Sequence, residues 1–591
     1  MGVTLETEPS LDRPTTPADP GDETSRRPRR WPGVLAVLGG TALIGAHASL
    51  YGQWMVDDAS ITFAYARSVA EGYGPVLQPG APPVEGYSNT TWMLLLALGK
   101  LVGLFDRGDL FGIPDYVLFP KALALVCCAG ILFAYHRATS LLFKRHAWIA
   151  TLAGGALLAL NPSFIIWCFS GLENSLYALI IVSSAVLMLR AAVNHRLLTT
   201  RVAVLTGLLA FAAALTRPDG MIYAAAYPLL ALVFLHRHAW KPTLLAAAKS
   251  IAAFLVPFGL FLVWRYHEFH LLVTNTTVAK AQSRPHILNL ARGSDLIGYI
   301  GWAAVFVAVA CAGIVLSQRS RSRNALVTLL VPLTLAIIAY CVLNPDWMGE
   351  FRFATPVWAL GTLAATIAGA QVAATARFRG RIALAVATVV AVGLSGDMAL
   401  HNAKQFAAIP TFPMCTVADR FEIMNGYADI LGISKGSELV PDIGGTSLTA
   451  KLQIVDLAGL ANGPLAKLWG AKNVAGVRDY VFDVAKPTFM NFHAPWSTST
   501  KLYTDPRLFA DYYQIFSTPN PVDDSDWVRK DAVSSPAKLA ALRAYAQMMD
   551  KRDWDYEPHF VKGSCGATLR PGQLPPPPPP SETLAAMAAK H

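Results

Sequence analysis

Two adjacent carboxylates carry the first chemical signal. The stretch Trp54-Met55-Val56-Asp57-Asp58-Ala59-Ser60-Ile61-Thr62 follows an apolar run that ends near residue 51. A carboxylate held beside apolar surface and a like charge binds its proton more tightly, which suits a general base. Ionisable groups at a membrane boundary are costly and are usually kept for function. The alternative is architectural: Asp58 ahead of Ala59-Ser60-Ile61 has the form of a helix N-cap. The segment continues with Tyr65-Ala66-Arg67, a Glu71-Gly72-Tyr73-Gly74-Pro75 turn and Val84-Glu85-Gly86-Tyr87-Ser88-Asn89-Thr90-Thr91-Trp92. That order predicts a helix, a glycine turn, an extended stretch and a short second helix. The unit would lie on a membrane surface with Tyr and Trp as interfacial anchors.

The elements that must position this segment are membrane helices. The 591 residues are 53% hydrophobic and 15% charged, against about 25% charged in soluble proteins. Spans of about 20 apolar residues are predicted near 33–51, 117–136, 147–161, 173–189, 202–216, 221–235, 247–264, 296–317, 325–343, 354–374 and 382–399, eleven in all. The run 92–104 is too short to cross and is expected to lie on or dip into the membrane. Charge tests the set. Arg26-Arg27-Pro28-Arg29-Arg30 precede the first span and put the N-terminus inside. A twin-arginine signal is the rival for those arginines. Five alternate loops then hold Arg137, Lys144 and Arg145; Arg190, Arg196 and Arg201; Arg237 and Lys241; Arg319, Arg321 and Arg323; and Arg377, Arg379 and Arg381, with no Asp or Glu among them. Those are the loops that the span set assigns to the inside. The net charge of +10 is therefore a matter of topology, and no nucleic-acid partner is expected.

The outside loops differ. They hold Asp57, Asp58, Glu71, Glu85, Glu173, Asp219, Glu268, Asp346 and Glu350, with Arg67, Arg217, Arg265, Lys280 and Arg352 against the bias. Basic residues on that side need a reason, and a bound anion is one. His267 and His270 read as surface residues. The chain thus divides into a disordered cytoplasmic tail over 1–32, a membrane domain over 33–399 whose first outside loop is 52–116, a mixed extracytoplasmic domain over 400–570 and a Pro-rich tail over 571–591. Cys127, Cys128, Cys168, Cys311 and Cys341 read as packing residues. Cys415 and Cys565, in the extracytoplasmic part, are either a disulfide or two thiols; the spacing does not decide.

The order of Asp57-Asp58, Tyr65-Ala66-Arg67, Glu71-Gly72-Tyr73-Gly74 and Glu85-Gly86-Tyr87-Ser88-Asn89 resembles bacterial GT-C glycosyltransferases. These multi-pass enzymes take sugar from a polyprenyl-phosphate carrier at the outer face, and acidic residues of the first outside loop form their centre. Further matches are Ser170-Gly171-Leu172-Glu173, Thr216-Arg217-Pro218-Asp219-Gly220, Thr274-Asn275-Thr276 with Lys280, and Asp346-Trp347-Met348 with Arg352. The arabinofuranosyltransferases of actinobacterial cell walls are the branch nearest in character, although the first loop departs from them. Each motif falls at an outside end of a span.

The resemblance implies an α-helical multi-pass membrane protein of about eleven transmembrane helices with a C-terminal mixed α/β extracytoplasmic domain. It implies a bacterial cytoplasmic (inner) membrane enzyme, with a polyprenyl-phosphate-linked sugar as donor, a cell-envelope glycan, lipid or protein as acceptor, and membrane lipids around it. Asp57 is the expected base, and Asp58 the second candidate or a group that orients the acceptor. Arg217, Lys280 and Arg352 are candidates for the donor phosphate. Glu85, Tyr87, Asn89, Glu173, Asp219, Asn275 and Asp346 are candidates for sugar or acceptor hydroxyls; caps and ion pairs are the architectural alternative. A divalent cation, Mg or Mn, is open, with Asp57 and Glu173 or Asp346 as hard oxygen donors. A lipid-linked saccharide flippase is one rival. It would need charges near mid-membrane and a repeat between halves, and the sequence has neither. A non-catalytic envelope assembly protein is the other.

Overall fold

The computed structural model describes residues 31–280, 287–560 and 565–575. The tail up to Arg30, with its arginine run, and the stretch from Pro576 onward lie outside the described residues. The chain is mostly helical and is a multi-pass membrane protein.

In order, the helices of the membrane domain are α1 (Trp31–Ala48), α2 (Asp57–Ala70), α3 (Thr90–Leu101), α4 (Asp115–Phe143), α5 (Ala147–Ala159), α6 (Pro162–Cys168), α7 (Asn174–Val193), α8 (Thr200–Thr216), α9 (Ala226–Val233), α10 (Trp240–Phe269), α11 (Asn275–Lys280), α12 (Gly293–Ile300), α13 (Trp302–Ser317), α14 (Arg321–Val342), α15 (Thr355–Thr375) and α16 (Phe378–Ala408). Among the described residues, seven helices are long and apolar enough to cross a membrane, one of them the 45-residue composite Asp115–Ala159. That composite breaks at Lys144–His146 into α4 and α5. All eleven expected segments lie on helices, but not all as single rods. The segment 296–317 is bent by 106° between α12 and α13. Gly301 at the bend has φ +98°, a conformation that a residue with a Cβ rarely adopts, so the helix cannot run through it. The segment 221–235 falls on a 3₁₀ stretch, Pro218–Ala225, that leads into the short α9. Helix α3 has 12 residues, about 18 Å, too short to cross. Helix α16 runs past residue 399 to Ala408.

A small hairpin, β1 (Asp109–Leu110) with β2 (Ile113–Pro114), closes the first loop. The C-terminal domain opens with α17 (Met414–Leu431), followed by β3 (Ser437–Val440), α18 (Thr446–Thr449), β4 (Gln453–Asp456), α19 (Gly463–Gly470), β5 (Phe489–His493), β6 (Tyr512–Ser517), β7 (Asp524–Arg529) and the helix Pro536–Phe560. The sheet order is β4-β3-β5-β7-β6. Strands β4, β3 and β5 run parallel, and β5, β7 and β6 are antiparallel. Both faces are covered. Leu439, Met490, Phe492 and Trp527 pack with α19 on one side, while Phe489 and Val528 pack with α17 and the helix Pro536–Phe560 on the other. This accounts for the apolar runs in β3 and β5, which are not alternating. The apolar core of the membrane helices continues without a break into this domain through Met414, Phe421, Val440, Leu448 and Leu569. Cys415 and Cys565 form a disulfide with a Cα–Cα distance of 5.1 Å.

Glu438 is the exception in the sheet core. It is fully buried on β3 and neither side-chain oxygen has a hydrogen-bond partner. Burial pushes its carboxyl up to about 8. The folded state therefore holds a proton that the unfolded state loses near pH 4. Stability falls as pH rises from that value towards 8 and is level beyond it. Glu438→Gln removes the cost and is expected to raise the melting temperature at pH 8 by the equivalent of a few kcal/mol, with little gain at pH 4.5. Paired thermal melts at the two pH values test this; an equal shift at both would refute it.

Candidate active site

Helix α2 begins at Asp57, with Val56 as N-cap and no side-chain cap. The architectural reading of Asp58 as a cap therefore does not hold. Both carboxylates occupy the first turn, where the positive end of the helix favours them. Two distant segments converge on this point. Val56 N donates to Ser170 O at 3.0 Å, Asp57 N to Phe412 O at 3.1 Å, and Met414 N to Met55 O at 2.9 Å. Gly171, at φ +91°, lets Ser170 come this close: a Cβ there would lie 2.6 Å from Met55 Cε.

The C-terminal domain closes over the Asp57 side chain. Asp57 is 5% exposed, and its Oδ1 accepts from Gly445 N at 2.7 Å. Burial pushes the Asp57 carboxyl well above the usual carboxylate range. The nearby Asp442 charge adds to this, while the Gly445 N–H acts against it. Asp58 is half-buried. Gly444 has no room for a side chain, since a Cβ would stand 2.2 Å from Asp57 Cγ and 2.3 Å from its carbonyl oxygen. Gly444→Ala is expected to push the 444–445 turn off Asp57 and to lower stability by about 1–3 kcal/mol. Gly259→Ala, where a Cβ meets nothing within 4 Å, is the control. Thermal melting compares them, and equal melting temperatures would refute the clamp.

Two residues that the sequence did not single out complete this region. His493 Nε2 lies 2.8 Å from Asp442 Oδ2. Burial alone would lower the imidazole, but the bond to Asp442 and its charge outweigh burial and raise it. Asp442 stands two residues before Gly444-Gly445; no motif marked it or His493. A cavity of about 380 Å³ opens beside them, lined among others by Phe412, Arg420, Asp442, His493 and Asp524.

A second group is a buried ion-pair network. Glu173 Oε1 accepts from Arg217 at 2.9 Å and lies 3.5 Å from Arg352; its Oε2 accepts from Asn89 Nδ2 at 2.8 Å. Arg217 also bonds Asp219 at 2.9 Å, and Arg352 bonds Asp346 at 3.3 Å. Burial would raise the Glu173 carboxyl, but Arg352, Arg217 and Asn89 together hold it below its usual value. The same acids push Arg217 up against the effect of burial. Asn89 Oδ1 accepts from Thr62 of α2 at 3.2 Å, so the network is tied to the helix that starts at Asp57. Six expected site residues thus meet in one place: Asn89, Glu173, Arg217, Asp219, Asp346 and Arg352.

A third group holds Glu85, Tyr87 and Asn275. Glu85 pairs with Arg265 at 2.8 Å; burial pushes its carboxyl up to about 7, with Arg265 pulling the other way. Tyr87 packs on Tyr65 with ring centroids 4.9 Å apart, and its hydroxyl is buried without a hydrogen-bond partner. Asn275 N donates to Glu85 O, and its Nδ2 donates to Gly459 O and Leu460 O at 2.8 Å each. Lys280 stands apart, exposed at the end of α11. Among the described residues it has no ion pair.

These contacts give the basic residues on this face a reason other than a bound anion. Arg217, Arg265 and Arg352 each pair with a carboxylate of the protein. Arg67 binds Asp106 through two bonds of 2.7 Å and also donates to Leu448 O and Leu569 O. Internal acids are reason enough for the four arginines. Two of the oxygen donors considered for a divalent cation have partners within the protein. Glu173 and Asp346 are held by arginines, and among the described residues no three His, Cys, Asp or Glu side chains gather to hold an ion.

No protein-family model and no curated protein matches the chain. Among solved structures it is similar to ArnT from Cupriavidus metallidurans bound to undecaprenyl phosphate, with a TM-score of 0.50 and 13% identity over 86% of this chain and 99% of that one. It is also similar to the oligosaccharyltransferase AglB from Archaeoglobus fulgidus in complex with an inhibitory peptide and a dolichol-phosphate (TM-score 0.48, 11% identity, 88% of this chain and 78% of that one). A third is the arabinosyltransferase EmbB from Mycobacterium smegmatis (TM-score 0.37, 15% identity, 93% of this chain and 44% of that one). At these identities the likeness bears on the fold alone. Carried by the ArnT comparison, that fold is the multi-pass GT-C fold.

Proposed function

We propose that this protein is a glycosyltransferase that moves a sugar from a polyprenyl-phosphate donor to a cell-envelope glycan, lipid or protein acceptor. It works at the extracytoplasmic face of a bacterial cytoplasmic membrane, with its N-terminus in the cytoplasm. One observation carries the proposal: Asp57 sits buried at the start of α2 under Gly445, its affinity for a proton raised, on the same helix as Thr62, which bonds Asn89 of the Glu173 network. The GT-C fold adds support.

In the reaction, an acceptor hydroxyl oxygen bonds to the anomeric carbon of the sugar as the bond from that carbon to the phosphate oxygen breaks. The hydroxyl proton passes to the Asp57 carboxylate, and the polyprenyl phosphate leaves with the electron pair. Asp57 suits the base better than the half-buried Asp58, because burial strengthens it. The leaving phosphate needs positive charge. Lys280 carries no internal ion pair among the described residues, and Arg352 keeps a buried Nε–H without an acceptor. Those two keep donors for a phosphate, while Arg217 is spent on Glu173 and Asp219. Glu85 and Tyr87 would meet sugar or acceptor hydroxyls. Mass spectrometry of envelope glycans, lipids and glycoproteins from a strain lacking the gene should show one sugar residue missing, restored by the wild-type gene and not by Asp57→Asn. An unchanged envelope in the deletion strain would sink the proposal.

A further inference from the structure

A second concave feature lies far from Asp57. Helix α7 starts beside Glu173 and ends 20 residues later at Val193. That is about 30 Å of helix, the thickness of a bilayer's hydrocarbon core. Helix α14 runs between the same two levels, from Arg321 to Val342, shortly before Asp346. At the far ends of the two helices, residues 193–195, 319–321, 323 and 324 line a shallow, open cavity of about 600 Å³. Its walls carry Arg319, Arg321 and Arg323, with Asn194, His195 and Asn324.

The chemistry of the walls is one-sided. Arg321 donates to Asn194 Oδ1 at 3.3 Å, bridging loops 127 residues apart. Arg323 Nε donates to the Leu316 carbonyl at 3.1 Å. Among the described residues no carboxylate pairs with any of the three arginines. This is the reverse of the Asp57 face, where Arg67, Arg217, Arg265 and Arg352 are each matched by an internal acid. Helix α14, 22 residues long and capped by Ser320, starts at the same cavity and adds the positive end of its dipole. Arginine excess in short loops follows from topology alone. The convergence of two loops on one concavity, bridged by Arg321 and Asn194, does not.

We propose that this cavity binds the phosphate-bearing headgroup of an anionic phospholipid in the leaflet opposite Asp57. Free inorganic phosphate offers the same charge and acceptors without the lipid anchor, so the test must separate the two. The full chain in detergent micelles is melted with added phosphatidylglycerol, with phosphatidylcholine, and with inorganic phosphate. Phosphatidylglycerol should raise the melting temperature, whereas phosphatidylcholine and millimolar phosphate should not. In R319Q/R321Q/R323Q the increment should vanish, with apparent affinity weakened on the order of a hundredfold. R319K/R321K/R323K should keep part of it. If the triple glutamine variant does not fold, R319Q alone carries the test through a reduced increment. The proposal is overturned if the phosphatidylglycerol increment survives in the glutamine variant, if phosphatidylcholine gives the same increment, or if inorganic phosphate alone produces all of it.

Discussion

Asp57→Asn is expected to lower the rate of sugar transfer by a factor of about 10²–10⁴, the usual worth of a positioned base, with the fold intact. The substitution keeps the shape of the side chain, and the amide oxygen can still accept from Gly445 N, now at 2.7 Å from the carboxylate. It also removes a charge that would stand near Asp442, so the melting temperature should hold or rise slightly. The wild type should lose kcat/KM as pH falls through a value above the ordinary carboxylate range, because the base works only when unprotonated and burial raises its proton affinity. That acid limb should be absent from any residual activity of the variant. Transfer assays across pH on both proteins, with melting curves alongside, check all three points. Full activity in Asp57→Asn would remove the residue from the mechanism.

Arg217→Gln is expected to cost about 3–5 kcal/mol of stability, the usual result of removing one partner from a buried charge pair. Arg217 is 6% exposed and serves two acids: 2.9 Å to Glu173 and 2.9 Å to Asp219. Glutamine leaves both without that partner. Asp219 keeps the Tyr177 hydroxyl at 3.0 Å, and Glu173 keeps Asn89 and the longer contact to Arg352. The sharper expectation concerns the double variant. Glu173→Gln with Arg217→Gln should be more stable than the sum of the single losses predicts, because each change removes the charge that the other strands. A double-mutant cycle by thermal melting measures this. Strict additivity would mean that the two side chains are not energetically paired.

Much of this architecture was legible in the sequence because it is local. Hydropathy marked eleven segments that all lie on helices, and motif spacing marked Asp57, Asn89, Glu173, Arg217, Asp219, Asp346 and Arg352, of which the last six converge. The illegible part is long-range. Asp57 meets Gly445 across 388 positions, and Asp442 meets His493 by way of a parallel sheet, whose strand partners no local pattern announces. The role of the arginines stayed open for a related reason. A charge in a loop shows its sign in the sequence but not its partner, so an internal acid and an external anion look alike until the fold brings Asp106 to Arg67 or Asp346 to Arg352. The bend at Gly301 was hidden because a glycine within an apolar run is compatible with a straight helix as well as with a break.

The anchoring of Arg67 has a consequence for how the protein is made. This arginine belongs to the same helix as Asp57, and one of its N–H groups is bound by the carbonyl of Leu569, 502 residues later. Gly445 and Phe412, which hold Asp57 itself, are likewise far downstream. Synthesis must therefore pass residue 569 before the first loop has all of these contacts. Until then the nascent protein already has its membrane helices, so an intermediate stalled or cleaved before residue 569 would sit in the bilayer without the Leu569 contact that holds Arg67.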